Sequence, residues 1–245
     1  MIDTHCHIDL FPNPHQIAEY SERNDILTIG VTNLPSHFEL GFPHIQQYKK
    51  VRLALGLHPL YAEKHSLEYK TFKRNVDKTI YIGEVGLDYS REGIHTKELQ
   101  IQSFRFVLQQ IGKSKKFITI HSRRAEQEVL DLLLEYEIPI AAFHWYSGSK
   151  KVLRQIIDSG YYFSINPAMI KSKTGKEIIK AIPKHLILTE SDGPFIEFNR
   201  ELSQPKHVRN ILQYLAKLYN INVAQIDRII YNNFKRILNS IRGEL

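Results

Sequence analysis

Near the amino terminus two histidines flank a cysteine, His5-Cys6-His7, and alternation along a strand would turn both imidazoles to one face and the thiol to the other. Two imidazoles so placed can grip one metal ion. The ends of other apolar runs carry the same kind of residue. Glu84 closes Ile82-Gly83-Glu84, where a buried carboxylate without a partner would be costly, and His121 closes Ile118-Thr119-Ile120-His121. His144 follows Ala142-Phe143, and Asp192 lies in Leu188-Thr189-Glu190-Ser191-Asp192-Gly193-Pro194. Singly, each also fits a core histidine or a helix-capping acid. Together, His5, His7, Glu84, His121, His144 and Asp192 exceed what one catalytic ion needs if it is to keep an open position, so two divalent ions are expected. Glu84 is the best bridge, because a carboxylate has two oxygens and a neutral imidazole one free lone pair. Two close cations lower the pKa of water and provide a nucleophile near neutral pH without serine or cysteine. Asp192 is then the expected proton acceptor, and Glu190 positions Asp192 or its neighbours.

These residues need a scaffold that brings distant strand ends together. Eight β-rich runs are expected: Ile2–Thr4, Ile26–Val31, Val51–Gly56, Thr79–Gly83, Phe117–Ile120, Ile140–Phe143, Tyr161–Ile165 and Leu186–Thr189. Most are apolar on both faces, as strands covered on both sides must be. Between them lie segments with helical spacing, clearest at Lys97–Ile111 and Ala125–Tyr136. Eight alternations predict an α/β chain folded as a (β/α)₈ TIM barrel, one domain over residues 1–245. The candidate ligands then share the carboxyl-terminal face, where sites of this fold sit. Two further amphipathic segments, Pro205–Leu218 and Val223–Ser240, follow the last strand. The second is expected to pack on the outside of the barrel as an additional C-terminal helix.

Composition narrows the setting. Of 245 residues, 42% are hydrophobic and 24% charged, the mix of a folded globular chain. No run of about 18 apolar residues and no leader-like start occurs, so membrane spanning and export are not expected. The lone Cys6 excludes an internal disulfide and fits a cytoplasmic location. Lys plus Arg number 33 against 26 Asp plus Glu, and the net charge of +7 favours anionic partners such as nucleic acid.

Six blocks in order give a specific likeness: Asp3-Thr4-His5-Cys6-His7, Gly56-Leu57-His58-Pro59, Gly83-Glu84-Val85-Gly86-Leu87-Asp88-Tyr89, His121-Ser122-Arg123, Phe143-His144-Trp145-Tyr146-Ser147-Gly148 and Thr189-Glu190-Ser191-Asp192-Gly193-Pro194. From Ile2 to about Leu238 the chain resembles the TatD-family metal-dependent deoxyribonucleases of the amidohydrolase superfamily. The resemblance implies one ion held by His5, His7, Glu84 and Asp192, and a second by Glu84, His121 and His144. It implies hydrolysis of DNA phosphodiester bonds, with Mg2+ or Mn2+ supporting activity; histidine-rich ligation also admits Zn2+ as the bound metal. The resemblance extends to compact relatives encoded with bacterial antiphage systems, such as the QatD component, which would add protein partners in a defence complex. Ser191, Trp145 and Tyr146 depart from the family's usual residues. The loop after Pro194 is shorter than usual, with Ser203-Gln204-Pro205 where the family has Asn-Glu-Pro, and it is expected at the mouth of the site.

Four residues are candidates for substrate contact. Arg123 offers forked donors that suit a phosphate, and His58 points to the mouth. Trp145 and Tyr146 offer faces on which a base of single-stranded or end-frayed DNA would stack. Two other readings keep the fold and change the role: hydrolysis of a small-molecule ester or amide, and a scaffold or binding subunit within a larger assembly.

Overall fold

The structure, a computed structural model, describes residues 1–112 and 114–244. Runs rich in Val, Ile and Phe, buried on both faces, form nine parallel strand segments: β1 (Ile2–Cys6), β2 (Leu27–Gly30), β3 (Val51–Leu53), β4 (Leu55–Leu57), β5 (Tyr81–Gly86), β6 (Phe117–His121), β7 (Ala141–His144), β8 (Tyr162–Ile165) and β9 (Ile187–Thr189). They form a (β/α)₈ barrel, because β3 and β4 are two halves of one crossing parted at Ala54.

That break has a local cause. Thr32, just past β2, donates its hydroxyl to the Ala54 carbonyl (2.9 Å) and accepts from Gly56 N (3.0 Å). The same residue then reaches β5, where Thr32 N donates to Gly83 O and Glu84 N donates to Thr32 O, both at 3.1 Å. The crossing passes over Gly56, where a Cβ would lie 1.5 Å from the Thr32 carbonyl oxygen, so only glycine lets this backbone hold Glu84.

The last strand meets the first through a bonded seam. Thr4 Oγ1 donates to Thr189 O (3.1 Å), Ser191 N to Asp3 Oδ1 (2.9 Å), Asp192 N to His5 O (2.9 Å) and His7 N to Gly193 O (2.8 Å). The seam therefore fixes the His5-Cys6-His7 and Ser191-Asp192 segments against each other.

Among the described residues ten α-helices accompany the strands: α1 (Pro14–Arg23), α2 (Pro35–Ile45), α3 (His65–Asn75), α4 (Lys97–Ile111), α5 (Glu126–Glu135), α6 (Lys150–Asp158), α7 (Pro167–Lys171), α8 (Lys173–Ala181), α9 (Val208–Tyr219) and α10 (Val223–Arg242). The C-terminal helix α10 does more than flank the barrel, since it lies across the amino-terminal ends of the strands. Its Phe234 ring meets Phe117 at the start of β6, with centroids 5.8 Å apart, and Asn233 Nδ2 donates to Lys184 O and Ile187 O beside β9 (2.8 and 2.7 Å). At the opposite end a short hairpin, β10 (Glu197–Phe198) and β11 (Glu201–Leu202), turns through Asn199 and Arg200 at φ +53° and +67°. Among the described residues no helix is long and apolar enough to cross a membrane.

Candidate metal centre

Glu84 is the hub of the carboxyl-terminal face. Its Oε2 lies 3.1 Å from His7 Nε2 and 3.4 Å from the Nε2 atoms of His5 and His58. Its Oε1 lies 2.5 Å from His121 Nδ1 and 2.8 Å from His144 Nε2. The two oxygens of one carboxylate thus face two different sets of imidazoles. Asp192 Oδ1 stands 3.8 Å from His5 Nε2 on the first side, and the His5 and His144 rings stack with centroids 4.1 Å apart. All six expected ligands are brought together, and His5, His7, Glu84 and Asp192 are almost wholly buried.

Charge in the cluster follows from this packing. Burial opposes ionisation of Glu84, yet His58, His144, His121 and His5 hold its pKa well below the usual carboxylate range. Burial, with His144 as a cationic neighbour, pushes His5 down to about 4, so at neutral pH it presents a free lone pair. Burial also pushes the Asp192 carboxyl well above its ordinary value, an effect that Glu190 and Glu84 reinforce. A positive charge placed in the cluster acts in the opposite sense and favours the carboxylate. Convergent nitrogens and two inward-facing carboxyl groups, one of which burial alone would neutralise, are a donor set suited to divalent cations.

Several ligands are oriented from behind. His5 Nδ1 meets Thr119 Oγ1 at 2.7 Å, which leaves Nε2 for the cluster. His121 Nε2 lies 2.7 Å from Asp88 Oδ2, which leaves Nδ1 directed at Glu84. Asp88, carried in the Gly83–Tyr89 block, stands behind His121. Its carboxylate also accepts from Ser90 N (2.7 Å); burial opposes its ionisation, but the bonds to His121 and Ser90 hold its pKa at about 2. A carboxylate on the far nitrogen of a metal-binding imidazole fixes the tautomer and raises basicity. Asp88→Asn should therefore lower metal affinity about 10- to 100-fold, as measured by competition with a chromophoric chelator, with the circular dichroism spectrum unchanged.

Glu190 is fully buried and accepts from Trp145 N (3.1 Å), Asn166 Nδ2 (3.0 Å) and Ser164 Oγ. Its Oε1 is 3.5 Å from His144 Nδ1, so its place is behind His144, one of the neighbours of Asp192, where it sets the imidazole and the turn that follows.

His58 is buried, and its Nδ1 accepts from Leu60 N at 3.2 Å. Burial lowers its pKa, and a neutral ring accepting at Nδ1 carries its proton on Nε2. It faces the cluster as a donor. His65, whose Nε2 lies 3.0 Å from His58 O, supports it from the core.

A cavity of about 690 Å³ opens above the cluster, with Asn33, His58, Arg123, Trp145 and Phe195 among its walls. Arg123 is exposed at the rim, its Nη1 3.9 Å from Glu92 Oε2. Trp145 is 39% exposed, but Tyr146 cannot offer a face to a base: its ring is 1% exposed among Phe143 and Phe163, and its hydroxyl donates to Ser149 O (2.7 Å). Trp145 adopts φ +39°, and this turn sends one aromatic outward and the next into the core. The second exposed aromatic at the mouth is Phe195, 60% exposed and edge-on to His7 at 4.8 Å.

Cys6 is fully buried among Ile8, Ile17 and Val51, its Sγ 3.8 Å from Gly193 O, and burial pushes its thiol well above the usual range. Cys6→Ser should keep most of the activity, and loss of turnover at normal metal content would show a role for the thiol.

A family sequence model described as TatD related DNase matches residues 2–239. The chain is 26% identical to an uncharacterized metal-dependent hydrolase of Methanocaldococcus jannaschii over 97% of this chain and 98% of that protein. It is 24% identical to human deoxyribonuclease TATDN3, with 99% and 96% covered. In fold it is similar to the crystal structure of YjjV, a TatD homologue from Escherichia coli, with a TM-score of 0.84 at 22% identity over 95% of each chain. A TatD-family hydrolase from Entamoeba histolytica is similarly close, with a TM-score of 0.82 at 19% identity over 97% of each.

Proposed function

The chain belongs to the TatD related DNase family of metal-dependent hydrolases, and from that premise we propose that it hydrolyses phosphodiester bonds of unpaired DNA at a site for two divalent ions. The observation that carries this reading is the division of Glu84, with Oε2 toward His5 and His7 and Oε1 toward His121 and His144. His5, His7, Asp192 and Glu84 would hold one ion, and His121, His144 and Glu84 the other. Bound ions would supply Lewis acidity at a phosphoryl oxygen and a water acidic enough to ionise near neutral pH.

The residues of the chain do the rest. Asp192 accepts the proton of the attacking water. His58 donates from Nε2 to an oxygen of the phosphoryl group, and the Arg123 guanidinium, free to swing at the rim, pairs with a phosphate. Trp145 and Phe195 offer faces to unpaired bases, whose stacking is indifferent to sequence. Because Glu84 is buried on the cavity floor, a scissile phosphate must descend to it, which a strand end or unpaired strand does without the cost of opening a duplex. Among the described residues no feature of the site speaks for a place in antiphage defence.

Metal-depleted protein incubated with end-labelled single- and double-stranded oligonucleotides, with Mg2+, Mn2+ or Zn2+ restored in turn, tests the reading. Cleavage of the single strand on restoring Mg2+ or Mn2+ is expected. Turnover of an aryl ester or cyclic amide, with the oligonucleotides left intact, would assign the site to small molecules.

A further inference from the structure

A second concavity, of about 550 Å³, lies at the amino-terminal end of the barrel, between α10 and the segment leading into β9. Lys184, His185, Lys235 and Arg236 line it together with Asn232 and Asn239, and no carboxylate does. Several surface cations elsewhere have acidic partners, as in Arg23 with Glu19, Lys50 with Asp25, Arg74 with Glu39 and Arg105 with Glu135. Among the described residues no ion pair reaches Lys184, Lys235 or Arg236. Arg236 is nonetheless held in place by neutral groups: its Nη2 donates to His185 O (3.1 Å) and to Asn233 Oδ1 (2.5 Å). Asn233 is itself buried and anchored to the Lys184 and Ile187 carbonyls. A fixed guanidinium with flanking lysines and no counter-charge is a surface prepared for an anion with several negative centres.

We infer that this groove is a second nucleic-acid contact, which binds the phosphates of a DNA strand without reading its sequence. The inference rests on the proposed DNA substrate. Because the metal ligands sit at the opposite strand ends, a small phosphodiester occupying the catalytic cavity cannot touch the groove. Only a long strand, bound past its reacting end, reaches both.

The test uses the full-length chain in excess EDTA, so that nothing is cut, and follows the fluorescence anisotropy of a labelled thymidine 30-mer against salt. Each phosphate neutralised adds about 0.7 to the slope of log affinity against log salt for a single strand. Lys184→Gln/Lys235→Gln should flatten that slope by about 1.4. Lys70→Gln/Lys73→Gln, which removes the same charge from α3, should leave it within about 0.3 of the parent. With metal restored, both variants should hydrolyse a chromogenic phosphodiester at the parental rate. A groove variant that binds with the parental slope, while the parent binds DNA, overturns this inference and leaves the catalytic reading standing. A metal-free parent that binds no DNA overturns the groove, while the catalytic reading is then judged by cleavage with metal restored; equal losses in both variants would reduce the effect to net charge and overturn the groove alone.

Discussion

Replacing Glu84 by glutamine should strip one of the two metal positions and reduce affinity at the other. The amide has one oxygen and one nitrogen, and Glu84 needs an acceptor on both sides, toward His5 and His7 at Oε2 and toward His121 and His144 at Oε1. Whichever way the amide turns, one histidine set faces a donor. The site also loses its central negative charge. Removing one partner from a buried ionic network costs about 3–5 kcal/mol, on the order of 10²–10⁴ in affinity. Metal analysis after dialysis should find no more than one ion per chain, and turnover should fall by at least the same order at limiting metal. Full occupancy with full activity would remove Glu84 from the hub.

Asp192→Asn should separate proton transfer from metal holding. Asp192 Oδ1 is 3.8 Å from His5 Nε2, farther than Glu84, so the other ligands retain most of the grip. The backbone there is left-handed, at φ +48°, a conformation that asparagine tolerates as well as aspartate, and the fold should survive the change. Without a proton acceptor, kcat should fall by on the order of 10²–10⁴, the usual worth of a positioned general base. Single-turnover cleavage and metal content measured on one preparation check both halves. Near-parental kcat at full loading would leave activation of water to the ions alone.

Strand ends were the most legible feature of the sequence, because apolar runs buried on both faces stand out and the ligands follow them directly. His121 and His144 close β6 and β7, and Glu84 lies within β5, one residue past the expected run, with the strand continuing to Gly86. The crossing read as Val51–Gly56 is divided at Ala54 because Thr32, a residue distant in sequence, inserts its hydroxyl between two strands. No local pattern announces such a contact. Similarly, the period of α10 marks a helix with one apolar face, but its placement beneath the barrel depends on Phe117 and Lys184, far away in the chain. Asp88 has no signal of its own because its place exists only through His121, and the sequence does not separate Trp145 from Tyr146, because two adjacent aromatics leave open which one the turn exposes. Phe195, by contrast, lies in the loop expected at the mouth.

Whether two ions at the Glu84-divided site support phosphodiester hydrolysis is decided by titrating metal-free protein with Mn2+ while counting ions by native mass spectrometry and following cleavage of a single-stranded oligonucleotide. Two ions per chain are expected at saturation, with cleavage rising as the second binds. Saturation at one ion with maximal cleavage, or cleavage that persists in the metal-free protein, would contradict that expectation.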